Sequence, residues 1–185
     1  MSVERSNQIF KHVLAWMREK NIETSKIAIQ KTLFFLKECG IPMRFEFDAY
    51  TYGPFSKQIM DAAEELEYAG QITVSHSDYE LASSFSDTLP EKEKTNLDKK
   101  LNKFSSLINK DFSFDNLEFF GTVLYCIRAL QENGMEQDSN DVIREFQAWK
   151  GTKYSEKNIE NAYGKLYPVL QVREALWVSE LKILL

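Results

Sequence analysis

Apolar residues return every three or four positions at Ile9, Phe10, Val13, Leu14 and Met17, which predicts a first helix over residues 3–19. Its polar face carries Lys11, Arg18 and Lys20. A second stripe, Ile29, Leu33 and Leu36, follows a cap at Thr24 or Ser25 and stops at Gly40, where a left-handed turn past Cys39 suits glycine. Over residues 43–50 the period changes to apolar–polar alternation, the signature of a short half-exposed strand. Gly53-Pro54 is expected to break that strand, and Ser56 to accept hydrogen bonds from the free amides of a third helix. That helix buries Ile59, Ala63 and Leu66 and ends at Gly70. Residues 72–75 and 79–82, on either side of His76-Ser77-Asp78, read as a hairpin. Helix, helix, strand, helix, hairpin is the element order of a winged helix.

The second half repeats the helical period. Leu97, Leu101, Phe104 and Ile108 line one side of a lysine-rich helix, and Leu117, Phe120, Leu124 and Ile127 line the next, opened by a capping box of Asp115 and Glu118. Val142, Phe146 and Trp149 mark a helix closed by Gly151; Ser155 caps another that carries Ile159, Tyr163 and Leu166. Pro168 is expected to start a final helical segment with Leu170, Trp177, Leu181 and Leu184, whose apolar end Ile183-Leu184-Leu185 must pack on the body or on a partner. The fold class is therefore mainly α (α+β). Residues 1–85 form a winged-helix-like half with a short strand and a β-hairpin. Residues 90–185 form a packed helical half, and a polar surface connection over residues 83–90 joins the two as one unit.

Composition supports this reading. Hydrophobic residues make up 43% of the 185, enough to build a core without disulfide or metal staples, while only 7 Gly and 4 Pro suit long helices better than many turns. A net charge of −5 argues against a protein held mainly by phosphate contacts. There is neither a secretory leader pattern nor an apolar run long enough to span a bilayer, so the expected location is the cytoplasm, with no membrane partner. Cys39 and Cys126 fall inside apolar helical patterns and are expected to be buried thiols.

Catalytic chemistry finds no foothold. His12, His76, Cys39 and Cys126 are scattered, with no spacing that would assemble a metal site. No phosphate-cradling glycine loop and no nucleophile elbow occur, so neither a cofactor nor an enzyme is indicated. His12 and His76 are expected on the surface. On the third helix Lys57 stands against Asp61, Glu64, Glu65 and Glu67, so a DNA-reading role, which the element order invites, meets a negative face. Lys11, Arg18, Lys20, Lys26, Lys31 and Lys37, or Lys99, Lys100 and Lys103, offer another nucleic-acid contact, although solvated helix faces are the expected account of them.

The densest unusual feature is the run from Phe45 to Ser56. Five aromatics, Phe45, Phe47, Tyr50, Tyr52 and Phe55, surround a rigid Gly-Pro turn at the mouth of a helix. Core packing explains the phenylalanines, with the tyrosines at its edge. A partner-binding surface at Tyr50, Tyr52, Gly53, Pro54, Phe55 and Ser56 is the sharper reading, because tyrosine supplies contact area at little entropic cost.

Ile29-Gln30-Lys31-Thr32-Leu33-Phe34-Phe35-Leu36-Lys37, followed by Tyr52-Gly53-Pro54-Phe55-Ser56 with Ile59, then Leu66 and Gly70, resembles the pattern of YwgA-like bacterial proteins. More distantly it resembles the SocA-like antitoxin domain called Panacea. Leu117-Glu118-Phe119-Phe120-Gly121-Thr122-Val123-Leu124 and Trp149-Lys150 with Tyr154-Ser155 extend the YwgA-like likeness. The Panacea resemblance implies a bacterial or phage protein that neutralises a toxin by contact or hands a partner to a protease. The expected partner is thus a protein, such as a toxin or a protease, with a homodimer also open and nucleic acid disfavoured.

Overall fold

The computed structural model describes residues 2–135 and 137–183, with side chains described as far as Leu170. Seven helices and two hairpins follow in the order α1 (Val3–Glu19), α2 (Lys26–Glu38), β1 (Asp48–Tyr50), β2 (Gly53–Phe55), α3 (Lys57–Tyr68), β3 (Ile72–Val74), β4 (Tyr79–Leu81), α4 (Glu91–Leu107), α5 (Phe114–Glu132), α6 (Ser139–Lys150) and α7 (Glu156–Ile183). The chain is mainly α with a small β part, as its hydrophobic period predicts.

Local signals set most boundaries. Ser25 accepts from the Ala28 amide at the head of α2, and Gly40 takes φ +80° just past its end. The predicted wing forms with Ile72 opposite Leu81 and Val74 opposite Tyr79. Ser25 bridges Asp78, so the segment before α2 lies alongside the wing hairpin.

α2 and α5 are the packing centre. Residues 28–36 of α2 are buried without interruption, as are residues 117–124 of α5, and the two helices lie against each other. Helices buried on every side belong in the middle of a protein, and the polar side chains buried along them, Gln30, Lys31 and Glu118 among them, need partners there. α1, α4 and β2 cover α2; α6, α7 and β2 cover α5. One continuous core therefore runs from Ile9 to Leu170 across the residue 83–90 connection, and the two halves are a single packed unit.

Five expectations need correction. Gly53-Pro54 does not break a strand: the segment over residues 43–50 shortens to β1, and Gly53 and Pro54 begin β2, paired with Tyr50 and Ala49 across a Thr51-Tyr52 turn. Gly53 enters that pairing at φ +86°, which glycine adopts without strain. The Ser56 hydroxyl makes no cap bond to α3; it is the residue's backbone amide and carbonyl that are held, by Gln30 of α2. Asp115 and Glu118 form no capping box; Ser113 is the N-cap of α5, and Glu118 points into the protein. Pro168 lies inside α7 instead of starting a new segment. It and Gly164, whose carbonyl loses its usual donor there, are both exposed, so water can take the place of the missing hydrogen bond. Lastly, His12 is buried: it meets Asp87 at 2.6 Å through Nδ1 and Asp98 at 3.1 Å through Nε2, neighbours that lie 75 and 86 positions away. His76 is exposed as expected. Leu170 is buried. The side chains of Trp177, Leu181 and Ile183, and the whole of Leu184-Leu185, lie outside the described residues.

Candidate functional site

The β1–β2 hairpin is held by its backbone and presents its rings. Gln30 on α2 accepts from the Ser56 amide at 2.9 Å and donates to the Ser56 carbonyl at 2.9 Å. One helical step on, the buried Lys31 amine donates to the Pro54 carbonyl at 2.7 Å. Lys150 on α6 donates to the Thr51 carbonyl at the turn. Upstream, Lys37 donates to the Phe45 carbonyl at 2.7 Å and Arg128 to the Phe47 carbonyl at 3.3 Å. Four carbonyls of this segment are thus each capped by a long basic side chain, two from α2 and one each from α5 and α6. These donors fix the hairpin against both halves of the protein.

Lys31 reaches Pro54 through a slot that two glycines leave open. A Cβ on Gly121 would come within 2.8 Å of Lys31 Cδ, and one on Gly53 within 3.0 Å of Thr122 Oγ1 and 3.4 Å of Lys31 Cε. The expectation that Lys31 lies on a solvated face is overturned: α5 and the hairpin cover that side of α2, and only 4% of the residue is exposed. Burial and the neighbouring Lys150 charge lower its pKa from 10.5 to about 7, against the opposing pull of Glu118.

Beneath the turn lies an ion cluster whose Glu118–Lys150 pair is buried and whose Lys153 and Asp115 reach solvent. Glu118, 4% exposed, accepts from Lys150 at 2.6 Å and from Lys153 at 2.7 Å, while Lys153 also reaches Asp115 at 3.2 Å. Burial pushes the Glu118 carboxyl up, but the hydrogen bonds and charges of the two lysines outweigh it and leave the pKa lowered. The cysteines are elsewhere: Cys39 and Cys126 are buried and free, with thiols pushed up to about 12 by burial.

Of the six residues picked out by the sequence, the structure splits structural from accessible ones. Gly53, Pro54 and Ser56 are buried, Phe55 is half-buried, and Tyr50 and Tyr52 are 60% and 53% exposed. The site also includes a residue that sequence reading missed. Phe114, at the head of α5 and 45% exposed, packs edge-on to Tyr52 with ring centroids 5.0 Å apart, and Tyr50 lies 5.2 Å from Phe55. Its only sequence signal is an aromatic residue directly after a helix cap, which by itself says nothing about the hairpin. The four rings, with Lys26, Ile27, Gln30, Lys31 and Gly53, line a cavity of about 240 Å³. Larger crevices of about 500 and 540 Å³ flank the end of α1, and the first mixes Arg18 with Glu23, Asp78 and Glu80 in its wall.

The acidic face of α3 points outward. Ile59, Ala62, Ala63 and Leu66 are buried, leaving Met60, Glu64, Glu65, Glu67 and Tyr68 in solvent. Among the described residues no group of three or more His, Cys, Asp or Glu is placed to hold a metal, and no helix is long and apolar enough to cross a membrane. Compared with protein-family models and with curated proteins, the chain matches none.

Proposed function

We propose that this chain is a non-enzymatic binding protein that acts through protein–protein contacts made by the aromatic hairpin, in the manner of an adaptor or antitoxin. The observation that carries the reading is the joint exposure of Tyr50, Tyr52 and Phe114 around one aromatic cavity, on a backbone held rigid by Gln30, Lys31 and Lys150. Exposed large apolar groups clustered in this way are the usual material of an interface. A preformed backbone keeps down the ordering cost that binding otherwise incurs. The likeness to YwgA-like and, more distantly, Panacea sequences joins Gln30-Lys31 with Tyr52-Gly53-Pro54-Phe55-Ser56, the two pieces that touch here, and the Panacea part of it makes a toxin or a client handed to a protease the class of partner to seek.

Affinity capture from native cells, comparing the unaltered chain with a Tyr50→Ala, Tyr52→Ala double variant, tests the proposal. A partner held by the first and lost by a still-folded second is the expected result; unchanged capture sinks it. The winged-helix element order favours a second reading, DNA binding, and a gel shift on random duplex DNA addresses it. A DNA reader must bind with an affinity that falls steeply as salt rises. The outward acidic face of α3 predicts no shift at any salt.

A further inference from the structure

A crevice of about 540 Å³ opens between the end of α1 and the last turns of α4, within the ~300–1,000 Å³ of sites that enclose a small molecule. Its wall has two kinds of surface. Phe112 and Ile22 supply the apolar part, and Phe112 lies against Trp16 with ring centroids 6.3 Å apart. Around them stand groups that donate hydrogen bonds: the amines of Lys20 and Lys110, the hydroxyls of Ser105 and Ser106, and the Asn102 amide. No carboxylate belongs to the wall. Lys20 and Lys110 are exposed, and among the described residues neither amine has a hydrogen-bond or ion-pair partner. Trp16 is 4% exposed, and its indole N–H has no acceptor. A buried donor left unsatisfied is unfavourable, and a ligand is one way to satisfy it. The carbonyls at the two helix ends are already taken: Met17 and Arg18 accept from the Ile22 and Asn21 amides, and Ser105 and Ser106 from the Lys110 and Asn109 amides. Glu19 and Asp111, the acidic residues next in sequence, lie outside the wall, and Asp111 accepts from the Ser113 amide. The crevice is thus rich in donors and has cations without anions of their own.

We propose that this crevice binds a small molecule that joins a planar aromatic ring to a phosphate monoester, the ring lying against Phe112 and Ile22 and the phosphate held by Lys20, Lys110 and the Trp16 N–H. A phosphate monoester carries about −1.5 to −2 charge at pH 7 and three acceptor oxygens. It therefore answers two amines and still has oxygens for the serine hydroxyls and the indole, whereas a carboxylate offers one charge and two oxygens. Ring packing on Phe112 supplies apolar area and a preferred geometry. The crevice shares no lining residue with the aromatic hairpin cavity, so this inference goes beyond the contact reading and does not depend on it.

The test titrates 1-naphthyl phosphate, 1-naphthol and inorganic phosphate into the full chain and follows the backbone amide signals and the assigned Trp16 indole N–H signal by NMR. Naphthyl phosphate is expected to shift the indole signal together with residues 20–22 and 102–112, and to bind roughly tenfold tighter than either fragment. Its advantage over naphthol should disappear in a Lys20→Ala, Lys110→Ala variant, whose replaced side chains make no hydrogen bond or ion pair in the fold, while signals away from the crevice stay in place. Inorganic phosphate that binds as tightly as the ester means an adventitious ion only. Naphthol that binds as tightly means an apolar crevice with no anion site. Either result overturns the inference, as does an advantage kept by the double variant or an absence of shifts in these residues, and the comparison of the three probes needs no variant to fold.

Discussion

Lys31 Nζ lies 2.7 Å from the Pro54 carbonyl oxygen, joining the middle of α2 to the first residues of β2 in a place where water has little access. Twenty-three residues separate the two in sequence. The relationship makes a buried amine part of the scaffold of the aromatic hairpin, and its first consequence is a pH dependence of stability.

In the folded chain Lys31 releases its proton near pH 7, whereas in the unfolded chain it keeps it to about 10.5. Between those values the unfolded state binds the extra proton, so raising the pH through this window stabilises the fold. A Lys31→Met variant lacks this slope. The stability of the native chain relative to the variant should therefore climb from about pH 7 to about pH 10, by on the order of 3 kcal/mol, in urea unfolding. A difference that stays flat across the window means the amine is not sequestered.

Glu118→Gln leaves Lys150 and Lys153 without their buried counter-charge. Removing one partner of a buried ion pair costs about 3 kcal/mol, and thermal or urea unfolding should register that loss. The lowered carboxyl pKa sets the sign with pH: the stabilisation is present above the ordinary carboxylate range and is lost as pH falls through the folded value. The variant's deficit should accordingly narrow in acid.

Gly121→Ala places a methyl carbon 2.8 Å from Lys31 Cδ, a side chain whose far end is tied to Pro54. Overpacking of this kind costs about 1–3 kcal/mol. Helix propensity alone favours alanine by roughly 1 kcal/mol, so a stabilised variant would mean that Lys31 takes another path.

His12 ties α1 to the residue 83–90 connection through Asp87 and to α4 through Asp98. His12→Ala removes both links and should cost about 1–3 kcal/mol. Amide hydrogen exchange should accelerate selectively in residues 83–98. Exchange that rises uniformly over the whole chain, or not at all, contradicts a local clasp.

Much of the architecture was legible because helices and hairpins declare themselves locally. The stripe at Ile9, Phe10, Val13, Leu14 and Met17, the Ser25 cap, Gly40 and the Ile72 to Leu81 hairpin each depend on residues a few positions apart. The candidate site was legible in part. Tyr50 and Tyr52 are accessible as expected, but Gly53, Pro54 and Ser56 serve the backbone, and Phe114 joins from 62 residues beyond Tyr52.

What the sequence by itself determined is the order and kind of most elements, β2 and the continuation of α7 past Pro168 excepted, because hydrophobic period, caps and glycine stops act within one or two turns of chain. Only the tertiary structure decided which charges are solvated and which are structural. Lys31, Lys37, Arg128 and Lys150 look alike as letters on polar helix positions; what distinguishes them is that each meets a hairpin-segment carbonyl from its own place in the fold. Glu118 likewise changes from a helix cap to a buried counter-ion once α6 brings Lys150 beside it. Burial and partner distance decide the role of a charge, and both are properties of residues that meet only after the chain has folded.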